Sequence, residues 1–449
     1  MDRKFNKKVV WGGIGLGLAL MASYFGAGNV VIPASIGYAA GSKWSVALLG
    51  FFLSGILLPI ISFLGISVRG GDIDNLMEPL GKRFSQIYFF LMMIPLMVLI
   101  GVPRMVAVSY ELGFNVLIKG VPVMVYAAFF VVLVYICIRN PQKALDIVGK
   151  YLTPILLVML SIIVLRVIFV PIAQPRDLGV SNVLGTSMLT GYGTGDVTAS
   201  FMFASVFTVA IGMKVTQYGG ESLKVEDRKK AEHRMLAIVL VVDALALLFV
   251  YGGLLYMGAM GTGIYHEPMD QTTLTVRMIQ EAVGSFGMVC FAIAVILACF
   301  TTAVSAVNGM ADYVRRISGD KLSHRVSAII LLAIIYAFSK LSVAKILAIL
   351  IVIMGVTYPP VIIIVLLAFV YDRIPEERRF GLYLGSVLVA FVLEFLVALN
   401  SVGVQTGTAG FISKLPLAGI GFEWVIPSLI GGILGYFLIK KSPAKKEAA

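Results

Sequence analysis

Twelve apolar stretches follow one another along the 449 residues, with short loops between them. A helix that crosses a bilayer needs about 20 mostly apolar residues. Only 13% of the residues are charged, whereas about a quarter are charged in a soluble domain. The pattern therefore predicts an all-α polytopic membrane protein without a soluble domain. The predicted spans cover roughly 9–38, 44–67, 85–110, 121–138, 149–172, 189–213, 235–259, 285–312, 325–339, 342–371, 380–400 and 423–440.

The distribution of Lys and Arg predicts the orientation of these spans. Of the 36 Lys and Arg residues, 27 lie on the side that carries both termini and 7 lie on the opposite side. The other two, Arg104 and Arg166, fall within or at the edge of spans. Positive loops are cytoplasmic as a rule, so both termini are expected in the cytoplasm. The same rule accounts for the net charge of +12 without nucleic-acid binding.

Two spans are interrupted by glycine. The first contains Phe25-Gly-Ala-Gly-Asn29 followed by Pro33, and the sixth contains Gly191-Tyr-Gly-Thr-Gly-Asp196. Glycine weakens a helix, and broken backbone is tolerated in a bilayer only where it lines a cavity or is buried in protein. Small residues that merely let helices pack closely would explain one such run. Two runs, five helices apart, favour an inverted-repeat transporter with its site at the midplane.

The ends of a broken helix supply the chemistry of a binding site. One half exposes unpaired amides, which suit a carboxylate, and the other exposes unpaired carbonyls, which suit a cation. Gly26, Ala27 and Gly28 can present their backbone closely because they have little or no side chain. Asn29 could add an oxygen ligand for an ion or hold the broken backbone in place.

The eighth span contains Ala298-Cys-Phe-Thr-Thr-Ala303. Its two adjacent threonines offer uncharged hydroxyl oxygens, which suit Na⁺. Threonines in membrane helices also commonly bond to carbonyls of their own helix, so the motif alone leaves both interpretations open.

Ionisable residues within spans are costly in lipid and usually functional. Asp196 could bind a substrate amine, support an ion, or cap the second half of the sixth helix. Arg104 could bind a substrate carboxylate, form part of an outer gate, or pair with Glu111 or Asp196. Asp243 and Glu394 could serve a proton route, or extend to the membrane interface.

The sequence lacks the signatures of two other classes of membrane protein, channels and enzymes. A channel would show charge rings or repeated filter loops, and an enzyme would show a nucleophile, a metal cluster or an acid–base pair. The histidines all fall in predicted loops and the cysteines in apolar runs: His233, His266, His324, Cys137, Cys290 and Cys299. We therefore expect a transporter rather than an enzyme, with no cofactor apart from a coupling ion.

Several segments, taken in order, resemble one family, the branched-chain amino acid:cation symporters (LIVCS). The resemblance covers essentially the whole chain, and it is the joint order of the short motifs that makes it specific. The matching segments are Phe25 to Pro33, Arg69 to Gly81, Pro103 to Glu111, Gly191 to Asp196, Ala298 to Ala303, Tyr358-Pro-Pro360 and Leu415-Pro-Leu417.

The resemblance implies a fold related to LeuT, with ten core helices in two inverted repeats and two further helices. The repeats would cover about 9–172 and 189–371, and the further helices about 380–440. It implies alternating-access import of leucine, isoleucine and valine with Na⁺ or H⁺. Another small neutral solute, or export, is the alternative on the same fold.

The resemblance also implies roles for individual residues. The Na⁺ ligands would be Ala22, Phe25, Ala298, Thr301 and Thr302. Gly26, Gly28 and Asn29 would border the substrate together with Tyr192, Gly193 and Thr194. To these the helix-end argument adds the amide of Ala27 and, as candidates, the ionisable Arg104 and Asp196.

Overall fold

The regular structure of the described chain is helical throughout. The computed structural model describes residues 3–88, 90, 94, 96–139, 153–341 and 343–440. The predicted residues 149–152 therefore lie outside the described residues, as do 89, 91–93 and 95 of the third span. By length and composition, six helical stretches could cross a membrane, and five shorter helices are also apolar.

In the described residues of the first half of the chain, six helices have more than ten residues, and the first two of them arise from one predicted span. Helix α3 combines Trp44–Phe52, Leu53–Leu57 and Leu58–Val68. Helix α4 contains two π-helical stretches, Leu96–Gly101 and Ser109–Phe114. The helices are α1 (Arg3–Tyr24), α2 (Ala27–Ala40), α3 (Trp44–Val68), α4 (Leu96–Leu117), α5 (Val123–Ile138) and α6 (Thr153–Phe169).

The second half begins again with a divided span. Gly284, at a φ of +61°, interrupts the regular helix within α10. The helices are α7 (Val183–Tyr192), α8 (Asp196–Gln217), α9 (Val225–Gly261), α10 (Gln271–Ile317), α11 (His324–Phe338), α12 (Val343–Ala368), α13 (Glu376–Ser401) and α14 (Val425–Leu438).

Both predicted helix breaks are present, and the ninth and tenth spans are separate helices, α11 and α12. Several predicted boundaries differ from the observed helix ends. Helix α9 begins at Val225, ten residues before the predicted 235, and α10 begins at Gln271, well before the predicted 285. Helix α4 continues to Leu117, beyond the predicted 110. Hydropathy marks only the apolar part of a helix, whereas Glu226 and Asp227 favour a helix N-terminus through the dipole.

Two close backbone contacts hold the second half of the broken first helix against α9. A Cβ added to Gly37 would lie 1.8 Å from the carbonyl oxygen of Leu255, and a Cβ added to Gly258 would lie 1.9 Å from that of Ala34. Small residues allow such contact between membrane helices. Because α2 carries one half of the break, this packing fixes the position of the candidate site.

We expect Gly37→Ala to destabilise the protein, because the new methyl group would force backbone apart. Overpacking typically costs about 1–3 kcal/mol. The measurement is the apparent melting temperature of the purified protein in detergent. Gly355→Ala is the matched control, since a Cβ there has no other atom within 4 Å. Equal melting temperatures for the two variants would contradict the packing argument.

Candidate functional site

A small buried cavity lies where the two broken helices meet. Its volume is about 40 Å³, whereas small-molecule sites typically have about 300–1,000 Å³. An amino acid therefore fits only when the walls move apart. Eight of the predicted site residues line the cavity: Gly26, Ala27, Gly28, Asn29, Arg104, Thr194, Asp196 and Thr302.

The first break leaves backbone groups of both polarities beside this cavity. The amide of Gly26 donates to the carbonyl of Tyr24 at 2.6 Å rather than continuing the helix to Ala22. Helix α2 then begins at Ala27, and no side chain caps its N-terminus. The first amides of α2 therefore have no partner within their own helix, and the carbonyl of Ala22 is available to another element.

The second break is stabilised by its own side chains. Gly195 has a φ of +86°, a conformation that favours glycine. The hydroxyl of Thr194 donates to the carbonyl of Gly191 at 3.0 Å and accepts from the amide of Asp196 at 3.4 Å. Thr194 thus provides a polar contact at the start of α8, where the N-cap residue Gly195 has no side chain to donate or accept a capping hydrogen bond.

The Asp196 carboxylate instead connects the two breaks. The amide nitrogen of Asn29 donates to Asp196 Oδ2 at 2.7 Å, and the hydroxyl of Tyr251 in α9 donates to the same oxygen at 3.4 Å. Asn29 also donates to the Tyr251 hydroxyl. Asn29 and Asp196 are nearly inaccessible to solvent, so this polar cluster holds the two broken helices together.

Arg104 has hydrogen-bonding capacity left over. Its Nη1 donates to the carbonyl of Gly193 at 3.1 Å. Its Nε and Nη2 are buried without a hydrogen-bond partner among the described residues. No ion pair forms with Glu111 or Asp196 in the described part of the chain. A Cβ added to Gly28 would lie 3.1 Å from Nη2, so the guanidinium adjoins the start of α2.

Oxygen atoms from α1 and α10 come together on the other side of the first break. The Thr301 hydroxyl donates to the carbonyl of Ala22 at 2.8 Å and lies 3.0 Å from that of Ala298. The Thr302 hydroxyl lies 3.5 Å from the carbonyl of Ala22. Thr301 therefore bonds to its own helix and also to the broken one. Phe25 stacks its ring on Tyr251, with centroids 5.8 Å apart.

Tyr192 lies outside this group of residues. Its ring packs against Tyr358 and Phe422, with centroids 5.0 and 6.1 Å apart, and lines a different cavity. Gly193 contributes through its carbonyl bond to Arg104 rather than through the cavity wall. Sequence reasoning did not identify Tyr251, which donates to Asp196, or Tyr24, which lines the central cavity. The signal at Tyr251 was a tyrosine followed by two glycines within an apolar span.

The fold defines the class of protein. The structure is similar to Mhp1 in an inward-facing conformation, with a TM-score of 0.58 at 14% identity, over 94% of this chain and 90% of that one. It is also similar to a Na⁺-coupled sialic acid symporter, with a TM-score of 0.51 at 13% identity, over 98% and 99%. The chain has the LeuT fold, as the family resemblance implied.

Residues 12–442 match the family described as branched-chain amino acid transport protein, and the chain belongs to that family. The branched-chain amino acid permease BraB of Bacillus subtilis is 29% identical over 433 residues, 94% of each chain. The branched-chain amino acid transport system 2 carrier protein of Pseudomonas aeruginosa is 26% identical over 426 residues, also 94% of each. Membership confirms the predicted family and a transporter rather than an enzyme.

The contact between Asn29 and Asp196 predicts energetic coupling across the two breaks. In a double-mutant cycle with Asn29→Ala and Asp196→Ala, we expect a coupling of about 0.5–3 kcal/mol, as for directly bonded residues. The measurement is the free energy of unfolding in mixed micelles. As a control, Asn182→Ala removes an exposed bond to the carbonyl of Gly419 and should be additive with Asp196→Ala. Additivity of Asn29→Ala with Asp196→Ala would contradict the coupling.

Proposed function

We propose that the protein is a Na⁺-coupled symporter that imports leucine, isoleucine and valine by alternating access. The observation that carries the proposal is the contact of the Ala22 carbonyl, which does not accept the Gly26 amide because of the break, with the hydroxyls of Thr301 and Thr302. Carbonyls at a helix break, together with uncharged side-chain oxygens, suit Na⁺ in transporters of this architecture. Ala298 and Phe25 would complete the ligand set with their carbonyls.

The amino acid would place its carboxylate between the start of α2 and Arg104. The amides of Ala27, Gly28 and Asn29 provide the positive end of a helix dipole. The unpartnered Nε and Nη2 of Arg104 provide charged donors in a planar arrangement that matches a carboxylate. Asp196 lines the same cavity and could interact with the substrate amine.

The side chain of the substrate would lie against α4 and α8. Met97 and Met105 from α4 and Phe203 from α8 line the cavity. Methionine adapts its shape to irregular apolar groups, so this wall suits aliphatic side chains of slightly different branching. Such a wall supports branched-chain amino acids as the substrates, which is the class that the names of the two relatives give for those proteins.

Coupling requires ion and substrate to favour the same conformation. The proposed ion connects α1 to α10, and the proposed substrate contacts α2, which begins three residues after the end of α1. Both ligands would therefore stabilise the same conformation of the broken first helix. We place both termini in the cytoplasm and assign the two repeats to about 9–172 and 189–371, as the charge distribution and the paired breaks suggest.

Proton coupling is the second candidate. Asp243 in α9 is fully buried, and neither carboxylate oxygen has a hydrogen-bond partner among the described residues. A buried carboxylate of this kind is costly unless paired or neutralised. Asp196, within electrostatic range of Asp243, would be the next group on such a route.

We expect Thr301→Val to remove Na⁺-driven leucine uptake at ordinary Na⁺ concentrations. Valine keeps the branched shape but deletes the oxygen, and the Na⁺ concentration for half-maximal uptake should rise about tenfold, equivalent to about 1.4 kcal/mol. The measurement is uptake of labelled leucine into proteoliposomes, with a Na⁺ or an H⁺ gradient imposed separately.

Two variants serve as controls for this experiment. Thr301→Ser retains the hydroxyl and should retain Na⁺ dependence. Thr357→Val removes a hydroxyl that, among the described residues, bonds only to the carbonyl of Ile353 in its own helix, and this variant should behave like the wild type. Uptake that follows the H⁺ gradient and is insensitive to Thr301→Val would overturn the Na⁺ assignment, and Asp243→Asn would then test the proton route. Uptake of none of the three amino acids would overturn the substrate assignment.

We expect Arg104→Lys to weaken leucine binding at saturating Na⁺, because lysine keeps the charge but loses the planar pair of donors. A hydrogen bond to a charged group contributes about 1.5–3 kcal/mol, so the dissociation constant should rise by roughly ten- to a hundredfold. Equilibrium binding of labelled leucine to the purified protein measures this. Arg166→Lys is the control, since the Arg166 side chain bonds, within the described part of the chain, only to the carbonyl of Val170. Wild-type affinity in Arg104→Lys would exclude a fork-like contact with the carboxylate.

A further inference from the structure

A second cavity, larger than the central one, lies between α3, α7, α12, α13 and α14. Its volume is about 320 Å³, which is within the range of small-molecule sites. Much of its wall is aliphatic and comes from α3 and α12, for example Leu53, Leu58, Ile363 and Leu367. The described residues that line it include no charged side chain. A ligand of this cavity is therefore expected to be apolar over most of its surface and uncharged.

Three of the residues that line the cavity carry buried hydrogen-bond donors without a partner. Tyr192 Oη, Trp424 Nε1 and Ser428 Oγ make no hydrogen bond within the described part of the chain. Each of these residues is more than nine-tenths buried. Buried polar groups are normally hydrogen-bonded, so three unsatisfied donors around one cavity indicate a ligand that brings an acceptor.

The three donor residues are grouped around Phe422. The ring of Phe422 packs against those of Tyr192 and Trp424, with centroids 6.1 and 6.3 Å apart. The amide of Ser428 donates to the carbonyl of Trp424 at 3.0 Å, so the two residues lie one turn apart on the same face of the start of α14. A tryptophan near the end of a membrane helix commonly lies at the interface, whereas Trp424 is buried inside the bundle. These contacts bring the donors to one region of the cavity wall.

Water could satisfy these donors but would not fill the cavity. A buried water needs about two to four polar partners, and cavities lined by aliphatic groups stay dry. The aliphatic part of the wall offers no such partners. A ligand that meets both requirements joins an uncharged acceptor to a long apolar chain. The acyl ester of a membrane lipid has this structure, and the bilayer supplies it at high concentration.

We propose that this cavity binds one acyl chain of a diacyl membrane lipid and that its donors hold the ester carbonyl of that chain. The carbonyl oxygen would accept from the donors of Tyr192, Trp424 and Ser428. The chain would fill the aliphatic space, and the lipid headgroup would stay outside the cavity. This site goes beyond the proposed transport function and does not depend on it.

The acyl chain can enter the cavity from the bilayer. Leu366 of α12 and Leu429 of α14 line the cavity and are 49% and 58% exposed at the surface of the helix bundle. Tyr192 is the last residue of α7, and the carbonyl of the next residue, Gly193, accepts from Arg104 in the central site. A bound lipid would therefore contact the end of one half of the broken sixth helix and stabilise its position.

Quenching of Trp424 fluorescence tests the proposal. Trp11→Phe and Trp44→Phe leave Trp424 as the sole tryptophan of the full-length chain. The purified protein, in micelles of the ester-free detergent dodecyl maltoside, is titrated with phosphatidylcholine whose acyl chains are brominated near the ester. We expect saturable quenching, because the bromine atoms would lie beside Trp424. The dialkyl ether lipid with the same brominated chains lacks the carbonyl and should bind about tenfold more weakly, as for the loss of one or more hydrogen bonds.

Two variants of this protein remove one donor each. Tyr192→Phe and Ser428→Ala should each weaken binding of the ester lipid by about three- to tenfold, as for one hydrogen bond, and leave binding of the ether lipid unchanged. Tyr383→Phe is the matched control, since its hydroxyl is also buried without a partner among the described residues but does not line the cavity. Leu366→Phe narrows the entrance, keeps all three donors and should weaken the binding of both lipids.

Two results would overturn the proposal. Quenching that rises without saturation, and equally for the ester and the ether lipid, would show only general contact of the protein with lipid. Saturable binding that neither Tyr192→Phe nor Ser428→Ala changes would show that the carbonyl is not recognised. The titration uses no leucine and no ion gradient, so its failure is distinguishable from a failure of the proposed transport function.

Discussion

The need to satisfy broken backbone in a bilayer governs the rest of this structure. A lipid environment offers no water to an unpaired amide or carbonyl. The carbonyl of Ala22 therefore accepts from Thr301, and the carbonyl of Gly193 accepts from Arg104. These partners come from α10 and α4, so each helix break requires a particular neighbour. The site arises where those requirements are met.

The same contacts explain how ligands could change the conformation. The Thr301 hydroxyl donates to Ala22, and a cation bound to both oxygens would replace that hydrogen bond with coordination to each. A substrate carboxylate would likewise occupy donors of Arg104 that lack a partner in the described residues. Each ligand thus substitutes for, or completes, an interaction that holds a broken helix. Binding energy is therefore coupled to the arrangement of α1 and α2 rather than spread over the fold.

Much of this site could be predicted from the sequence, because the effects of glycine runs and paired threonines on a helix depend on a short stretch of residues. The two breaks required only the order of residues and the chemistry of helix ends, whereas the pairing of Thr301 and Thr302 with Ala22 was implied by the family resemblance. The partner of Asp196 could not be predicted, since Asn29 and Tyr251 approach it through packing of helices far apart in sequence. The surroundings of Tyr192 could not be predicted for a related reason, because its ring packs against Tyr358 and Phe422 from segments distant in sequence and lines a different cavity.

The buried acids show what sequence and structure each contribute. Asp196, Asp243 and Glu394 look alike in the sequence, as single acids within apolar spans. In the structure Asp196 accepts hydrogen bonds from Asn29 and Tyr251, whereas Asp243 and Glu394 Oε1 are left without partners within the described chain. A carboxylate that is already paired can hold two helices in register, and one that is unpaired requires a proton or a cation. The three acids are therefore suited to different tasks, and their surroundings rather than their positions in a span distinguish them.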